Sequence, residues 1–237
     1  MKAMISLKDA VAKYFSKHPP AQELFSRLLC AGDIYLIGGV LREFCDNGDL
    51  VTLRDVDIVV DVKNQSYWQS VLQDYSLRSN RFGGYKLYCS GLLVDTWAID
   101  QTWAFREGFV NANYADYVSL LPETVFLNID AIIYDWTREH WYHQHYLKAM
   151  KDRMLDVILP ENPQITLNLV RAFVLQERYQ MSLSLKLQEI ICAQREQYPT
   201  TEIFVAALMK EQHHRYRKDI VSKSTITAKV ENVLKFK

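Results

Sequence analysis

The amino-acid sequence predicts an α/β domain followed by a smaller helical domain. Three observations support this prediction. A strand pattern, a glycine turn, a helix pattern and a second strand pattern follow one another between residues 34 and 61, two more strand patterns lie between residues 85 and 99, and helical periodicity dominates after residue 146. We place the first domain at residues 1–135, with N-terminal helices within 1–31, and the helical domain at residues 136–237.

The individual elements are predicted from apolar spacing and turn residues. Apolar residues recur every three or four positions in the predicted helices, whereas the predicted strands are short apolar runs beside Gly, Asp or Ser. Pro160 and Pro163 separate the first two helices of the second domain. Helices are expected at residues 7–15, 65–75, 146–158, 165–180, 183–197 and 203–218, with one that follows residues 18–20 and runs to residue 32 and another that begins near residue 40. Strands are expected at 34–37, 58–60, 85–89 and 92–99.

Two carboxylates stand at the mouth of the second strand. Asp55 and Asp57 are two positions apart, and side chains with this spacing lie on the same face of a strand. Two facing carboxylates raise each other's pKa, so such a pair generally holds a cation. Mg²⁺ takes one or two carboxylates together with substrate phosphates. Asp-x-Asp alone is common in surface loops, but its position after a strand and the Gly38-Gly39 turn indicates a metal–nucleotide site.

A third carboxylate lies inside an apolar run. Asp95 interrupts the strand pattern from Leu92 to Ile99. A carboxylate in such a position is expelled from a core unless it lies at an edge or cleft or binds a cation. We therefore expect Asp95 to share the cation of Asp55 and Asp57.

Composition and charge exclude several classes of protein. The chain has 28 Lys and Arg against 28 Asp and Glu, and a pI near 7, so a strongly basic nucleic-acid-binding surface is excluded and only a local patch remains. No apolar run approaches the roughly 18 residues of a membrane span, and the N-terminus lacks a signal-peptide pattern. A cytoplasmic protein without a membrane partner is expected, and the sequence favours no particular oligomeric state.

The only charge bias lies at the end of the chain. Residues 210–237 contain eight Lys or Arg and three Asp or Glu, together with His213, His214 and Tyr216. Such a segment could contact an RNA backbone, and a solvated helix with a frayed terminus explains it equally well.

The motifs together resemble the head and neck of the class II tRNA nucleotidyltransferase and poly(A) polymerase family, within the DNA polymerase beta-like nucleotidyltransferase superfamily. Gly38-Gly39-Val-Leu-Arg42 is similar to that family's Gly-Gly-x-x-Arg-Asp, and Asp55-Val-Asp57 is similar to its Asp-x-Asp. Asp95 lies on the strand where the superfamily has its third carboxylate. Further stretches are similar to the family's Phe-Thr-Ile-Asn-Ala segment and to the start of its neck helices: residues 127–135, 147–159 and 169–173.

This resemblance implies both a fold and a reaction. The fold is a polymerase-beta-like head with a mixed sheet flanked by helices, followed by a small helical neck. The reaction is in-line attack of an acceptor hydroxyl on the α-phosphate of a nucleoside triphosphate with release of pyrophosphate, assisted by two Mg²⁺ ions or by Mn²⁺. Asp55 and Asp57 would hold both ions, and Asp95 would hold the ion that activates the acceptor hydroxyl.

The resemblance also implies that the glycine turn binds the triphosphate. Backbone N–H groups at Gly38 and Gly39 would approach the phosphates at the start of a helix, where the helix dipole favours anions. Arg42, one turn further, would reach the β- or γ-phosphate. A surface pairing of Arg42 with Glu43 or Asp46 is the alternative.

Lys86 and Arg171 are weaker candidates for nucleotide binding. Lys86 follows the glycine turn at residues 82–84 and could touch a phosphate, although a lone lysine on a strand is more often solvated. Arg171 could face the nucleotide or pair with Glu177 or another carboxylate. Three histidines have a spacing that could suit zinc, but among aromatic residues they are more often surface or packing residues: His140, His143 and His145.

The sequence departs from the family in the part that selects the base. Glu43 stands where the family has Asp, and residues 164–168 replace its Glu-Asp-x-x-Arg motif. Arg171 alone remains of the following arginine pair, with Val174 at the second position. The resemblance therefore implies an intact catalytic half with altered base selection, and a preference for ATP rests on family analogy.

Three hypotheses follow from the sequence. The first is a nucleotidyltransferase that extends an RNA 3′ end, with tRNA as the leading example. The second is nucleotide transfer to a protein or a small molecule, which the neutral pI favours. The third is a nucleotide- or RNA-binding regulator without turnover, a function for which three clustered aspartates are unnecessary.

Overall fold

The first unit of the chain is built on a mixed sheet, and the second unit is largely helical. In this computed structural model residues 5–75, 78–80, 82–89 and 91–235 are described. The first unit comprises Met1–Thr124 and Asp130–His145, and the second comprises Val125–Ile129 and Tyr146–Lys237.

The strands of the first unit are β1 (Gly32–Ile37), β2 (Asp55–Val62), β3 (Arg78–Ser79), β4 (Tyr85–Cys89), β5 (Leu92–Ala98), β6 (Ile133–Asp135) and β7 (His140–Tyr142). They form a sheet with the strand order β3-β4-β5-β2-β1-β6-β7. Strands β2 and β5 are parallel, whereas the other neighbours are antiparallel, so the sheet is mixed as the predicted fold class requires.

Helices flank this sheet, and their apolar faces form the core. Ser6 caps the first helix by accepting a hydrogen bond from the backbone of Asp9, and Pro19 occupies the first position of the second. Leu24 and Leu28 of the second helix are fully buried. The helices of this unit are α1 (Leu7–Phe15), α2 (Pro19–Ala31), α3 (Gly39–Asn47), α4 (Gln65–Asp74), α5 (Trp103–Arg106) and α6 (Tyr117–Leu120).

Helix α7 (Gln144–Asp152) leads into the second unit, whose remaining elements pack as a bundle. These elements are β8 (Met154–Leu155), α8 (Ile165–Tyr179), β9 (Ser182–Leu183), α9 (Leu185–Glu196), α10 (Thr201–Tyr216) and α11 (Lys223–Leu234). Helices α9 and α10 each pack against α8 and α11, and β8 forms a short parallel pair with β9. Within the described part of the chain, no helix has the length and apolar character needed to cross a bilayer.

For the second unit, one predicted helix boundary was wrong and one helix was not predicted. The helix expected over residues 146–158 ends at Asp152, because Arg153 adopts a φ of 52° and its guanidinium donates to the Tyr179 carbonyl. The basic segment at the end of the chain contains α11, capped by Ser222 and anchored by buried Ile226 and Val230, so part of this segment has a core-facing side.

Candidate active site

One row of residues crosses four strands of the sheet and brings the predicted site together. Ile37 of β1 is the register partner of Asp57 in β2, Asp57 is the partner of Asp95 in β5, and Asp95 is the partner of Lys86 in β4. Register partners point to the same face, and neighbouring strands lie about 4.8 Å apart. Asp57 and Asp95, separated by 38 positions in the sequence, therefore stand side by side.

Asp55 joins this group from the same strand as Asp57. Because side chains alternate along a strand, Asp55 and Asp57 share one face while Val56 and Ile58, each 1% exposed, occupy the other. Leu93 of β5 lies opposite Asp55. The structure thus places all three predicted aspartates on one face of two adjacent parallel strands.

Positively charged side chains hold two of these carboxylates. Lys86 forms an ion pair with Asp95, and Arg54 forms one with its chain neighbour Asp55. The amide of Asn80 donates a second hydrogen bond to Asp95, with an Nδ2–Oδ1 distance of 3.3 Å. Lys86, predicted as a phosphate ligand or a solvated residue, is therefore a partner of a site carboxylate.

The environment of Asp95 shifts the pKa of its carboxyl group. Burial raises the pKa of the Asp95 carboxyl above its ordinary value, the contact with Lys86 acts in the opposite direction, and the negative charge of Asp55 adds to the rise. Asp55 and Asp95 are therefore close enough to interact electrostatically. A carboxylate with a raised pKa is better suited to accept a proton than an ordinary surface aspartate.

The side-chain positions differ from those of a preformed metal cluster. Across residues 5–75, 78–80, 82–89 and 91–235, no three His, Cys, Asp or Glu side chains are grouped so that they could hold a metal ion. This holds also for His140, His143 and His145. His145 instead lies 2.6 Å from the Glu123 carboxylate, and the ring of His140 contacts that of Tyr142.

The glycine turn begins directly beside Asp57. Gly38 follows Ile37, the register partner of Asp57, and starts α3 with φ 69° and ψ −115°, a conformation that essentially only glycine adopts. Its N–H donates to the Ile132 carbonyl at 3.0 Å, which fixes the turn to the segment before β6. A Cβ added at Gly38 or Gly39 would meet no atom within 4 Å, so both glycines border open space.

The guanidinium of Arg42 is held by Asp130, a carboxylate that was not predicted as a site residue from the sequence. Arg42 lies one turn into α3 and forms an ion pair with Asp130, whose side chain is 7% exposed. Asp130 precedes Ile132, so the segment that receives the Gly38 hydrogen bond also supplies the partner of Arg42. Asp130 lies within the stretch 127–135, which resembles a family motif, but its pairing with residue 42 carries no local signal.

Arg171 and the basic segment belong to the second unit. Arg171 lies in the middle of α8 and is partly exposed. In the basic segment, Lys229 is 2.6 Å from Glu177 and 2.7 Å from Gln176 of α8, so its charge serves the packing of α11.

Known protein structures share the fold of this chain, whereas no sequence family matches it. No family model and no curated protein matches the chain. An apo CCA-adding enzyme matches with a TM-score of 0.60 and 15% identity, over 93% of this chain and 54% of that one. The CCA-adding enzyme of Thermotoga maritima, solved with tRNA, matches with a TM-score of 0.57 and 14% identity over 89% and 51%. A tRNA nucleotidyltransferase solved with a primer tRNA and an incoming ATP analogue matches with a TM-score of 0.52 and 19% identity over 79% and 54%.

These matches confirm the predicted fold class. The chain has the mixed α/β architecture of the head of these enzymes, with helices flanking the sheet. It spans about half the length of the solved structures that it matches.

Proposed function

We propose that this protein is a metal-dependent nucleotidyltransferase that transfers a nucleoside monophosphate from a nucleoside triphosphate to an acceptor hydroxyl and releases pyrophosphate. The observation that carries this proposal is the row through Ile37, Asp57 and Asp95, because it places an open glycine turn beside carboxylates on one face of the sheet. Phosphoryl transfer needs both parts, one to hold the phosphates and one to neutralise charge at the reacting oxygens.

The glycine turn would bind the triphosphate. The N–H groups in the first turn of α3 have no acceptor within the helix, and together with the positive end of the helix dipole they favour phosphate oxygens. The Gly38 N–H instead donates to the Ile132 carbonyl, so Gly38 would contribute open space for the phosphates rather than its predicted N–H. Arg42 adds a positive charge one turn further, and Asp130 fixes its guanidinium. We assign Arg42 to the β- or γ-phosphate.

The carboxylates would hold the metal ions. Their donor set is entirely oxygen, which fits Mg²⁺ or Mn²⁺. Asp55 and Asp57 would contact both ions, and Asp95 would contact the ion beside the acceptor. When bound, the ions supply positive charge to the attacking and leaving oxygens.

A side chain of the protein would accept the proton of the acceptor hydroxyl. The acceptor oxygen forms a bond to the α-phosphorus while the bond to the β-phosphate oxygen breaks, and pyrophosphate leaves. The hydroxyl proton would pass to an Asp95 carboxylate oxygen.

We propose an RNA 3′ end as the acceptor, with tRNA as the leading candidate, and ATP as the preferred nucleotide. This part rests on fold likeness to enzymes solved with tRNA and with ATP or its analogue. We also propose Arg171 as a nucleotide ligand, because the resemblance identifies it as the surviving member of the family's arginine pair.

The test is transfer of label to RNA. Purified protein is incubated with total cellular RNA, Mg²⁺ and each of the four α-³²P nucleoside triphosphates, beside the double variant Asp55→Ala, Asp57→Ala. Asp49→Ala is the matched control, because Asp49 is also a partly exposed aspartate paired with a cation, Lys13, but lies outside the site. We expect an RNA band to be labelled by the intact protein and by the Asp49 variant only.

The distribution of label identifies the acceptor. Label in lysate protein or in a small molecule, and not in RNA, would keep the transferase and replace its acceptor. Equal labelling by the double variant would overturn the proposal.

A nucleotide-binding regulator without turnover is the second candidate. The pairing of Asp95 with Lys86 and of Asp55 with Arg54 favours it, because carboxylates that are neutralised internally can persist without a metal ion. ATP binding that is equally tight with EDTA and with Mg²⁺, without transfer to any acceptor, would select this candidate.

A further inference from the structure

Both oxygens of Asp95 are occupied by donors from its own chain. Lys86 Nζ pairs with Oδ2, and Asn80 Nδ2 lies 3.3 Å from Oδ1. Lys86 is the antiparallel register partner of Asp95, so the backbone holds the two side chains opposite each other. The Lys86 side chain is 46% exposed and that of Asp95 is 15% exposed. An ion that reaches Asp95 from solvent therefore meets the lysine first.

The two donors differ in how firmly they are held. Asn80 is fixed, because its Oδ1 accepts N–H groups from Phe82 at 2.8 Å and Gly84 at 3.1 Å. Gly84 also packs against it, since a Cβ added there would stand 2.9 Å from Asn80 Nδ2. Lys86 reaches Asp95 through a long flexible stem and is held there by its ion pair. Of the two, Lys86 is the donor that can leave.

Electrostatics gives a reason for Lys86 to leave Asp95 when a metal ion binds. Lys86 places one positive charge directly on Asp95. When this ammonium leaves, the carboxylates become more negative by one charge and attract a divalent ion more strongly. An ammonium on Asp95 also repels an ion at the same carboxylate.

We infer that Lys86 is a resident counter-ion of the metal site, which occupies Asp95 in the absence of a divalent ion and leaves it when the ion binds. This inference rests on the proposed function. Lys86 is thus a positioning residue that keeps the carboxylates folded together without metal and weakens metal binding in the absence of nucleotide. Once released, its ammonium stands beside the row and is available to the phosphates of an incoming triphosphate, which links metal binding to nucleotide binding.

This inference is tested by titrating Mn²⁺ into the full chain without nucleotide. The decrease of the electron paramagnetic resonance signal of free Mn²⁺ measures the binding. Lys86→Met removes the charge and keeps the stem, Lys86→Arg keeps the charge, and Lys13→Met is the matched control, because Lys13 pairs with Asp49 outside the site. We expect Lys86→Met to tighten Mn²⁺ binding by about tenfold. Lys86→Arg and Lys13→Met should stay within about twofold of the unmodified protein.

Amine labelling gives a second readout that does not depend on a variant. Trace acetylation of lysines, read by mass spectrometry, should increase at Lys86 when Mg²⁺ is added and stay constant at Lys13. Unchanged labelling at Lys86, or equal Mn²⁺ affinity of Lys86→Met and the unmodified protein, would overturn the inference.

The metal titration also separates this inference from the proposed function. Asp55→Asn and Asp95→Asn should each weaken Mn²⁺ binding by about tenfold or more if the carboxylates form the metal site. If they leave it unchanged, the proposed function fails together with the inference. If they weaken it while Lys86→Met has no effect, only the role of Lys86 is wrong.

Discussion

The two ends of one sheet face carry aspartates in opposite situations. Strand β2 places Asp55 and Asp57 at its start and Asp61 near its end, all on the same face. The starting pair is partly exposed and lies beside a glycine turn that borders open space, whereas Asp61 is 7% exposed. Asp33 of β1 is the register partner of Asp61.

At the Asp61 end, ordinary hydrogen bonds satisfy the carboxylates. Lys63 Nζ lies 2.6 Å from Asp61, and the Tyr114 hydroxyl donates to it. Arg138 binds the fully buried Asp135 of β6 through its guanidinium at 2.9 Å and its backbone N–H at 2.8 Å. Burial raises the pKa of the neighbouring Tyr35 to about 12, and the charge of Asp135 adds to this rise.

Acidic residues on one strand face therefore do not by themselves make a binding site. At the Asp61 end, the side chains of Lys63 and Tyr114 bind the buried carboxylate. At the Asp55 end, the partners are half-exposed cations, and the neighbouring backbone is open to a ligand. Three substitutions test this contrast.

The largest expected effect is the loss of activity in Asp55→Asn. Removing one carboxylate from the proposed metal site should lower the transfer rate at least about a hundredfold, because it removes about 3 kcal/mol or more of charge stabilisation. The free energy of unfolding should change by less than about 1 kcal/mol, since the pair with Arg54 is exposed. Rate assays and urea denaturation measure the two quantities. A variant that retains full activity would place the chemistry elsewhere.

The next effect is the loss of stability in Asp135→Asn. The neutral amide weakens the charged hydrogen bonds with Arg138 at a site with no exposure, so the free energy of unfolding should fall by about 2 kcal/mol. Urea denaturation measures this change, with Asp49→Asn as a surface control. Transfer activity of the folded fraction should stay the same. A stability equal to that of the unmodified protein would contradict the structural role of this end.

The smallest effect is expected for Gly39→Ala. The added methyl meets no protein atom within 4 Å, so the free energy of unfolding should stay the same or rise by about 0.5 kcal/mol. The same methyl would occupy space that a phosphate needs, and Mg·ATP binding should weaken about tenfold, or by about 1.4 kcal/mol. Isothermal titration calorimetry and thermal unfolding separate the two. Unchanged ATP affinity would show that the phosphates do not approach this glycine.

Much of the fold could be predicted because its signals are local. Apolar spacing located α1, β4 and α8 to within a residue, and the fold class followed from the order of strand and helix patterns. The short pairs β6 with β7 and β8 with β9 were missed, since two or three residues give no periodicity. The end of α7 was missed because the left-handed conformation of Arg153 depends on its contact with the Tyr179 carbonyl.

The shared face of Asp55 and Asp57 and the glycine turn before them could be predicted from the sequence, because both follow from the geometry of consecutive residues. The residues that contact these aspartates depend instead on the tertiary structure. The pairing of Asp95 with Lys86 and Asn80 depends on strand register, and the pairing of Arg42 with Asp130 joins positions 88 apart. Register and side-chain partners are set by the packing of the whole sheet, where a shift of one residue would turn every side chain to the opposite face.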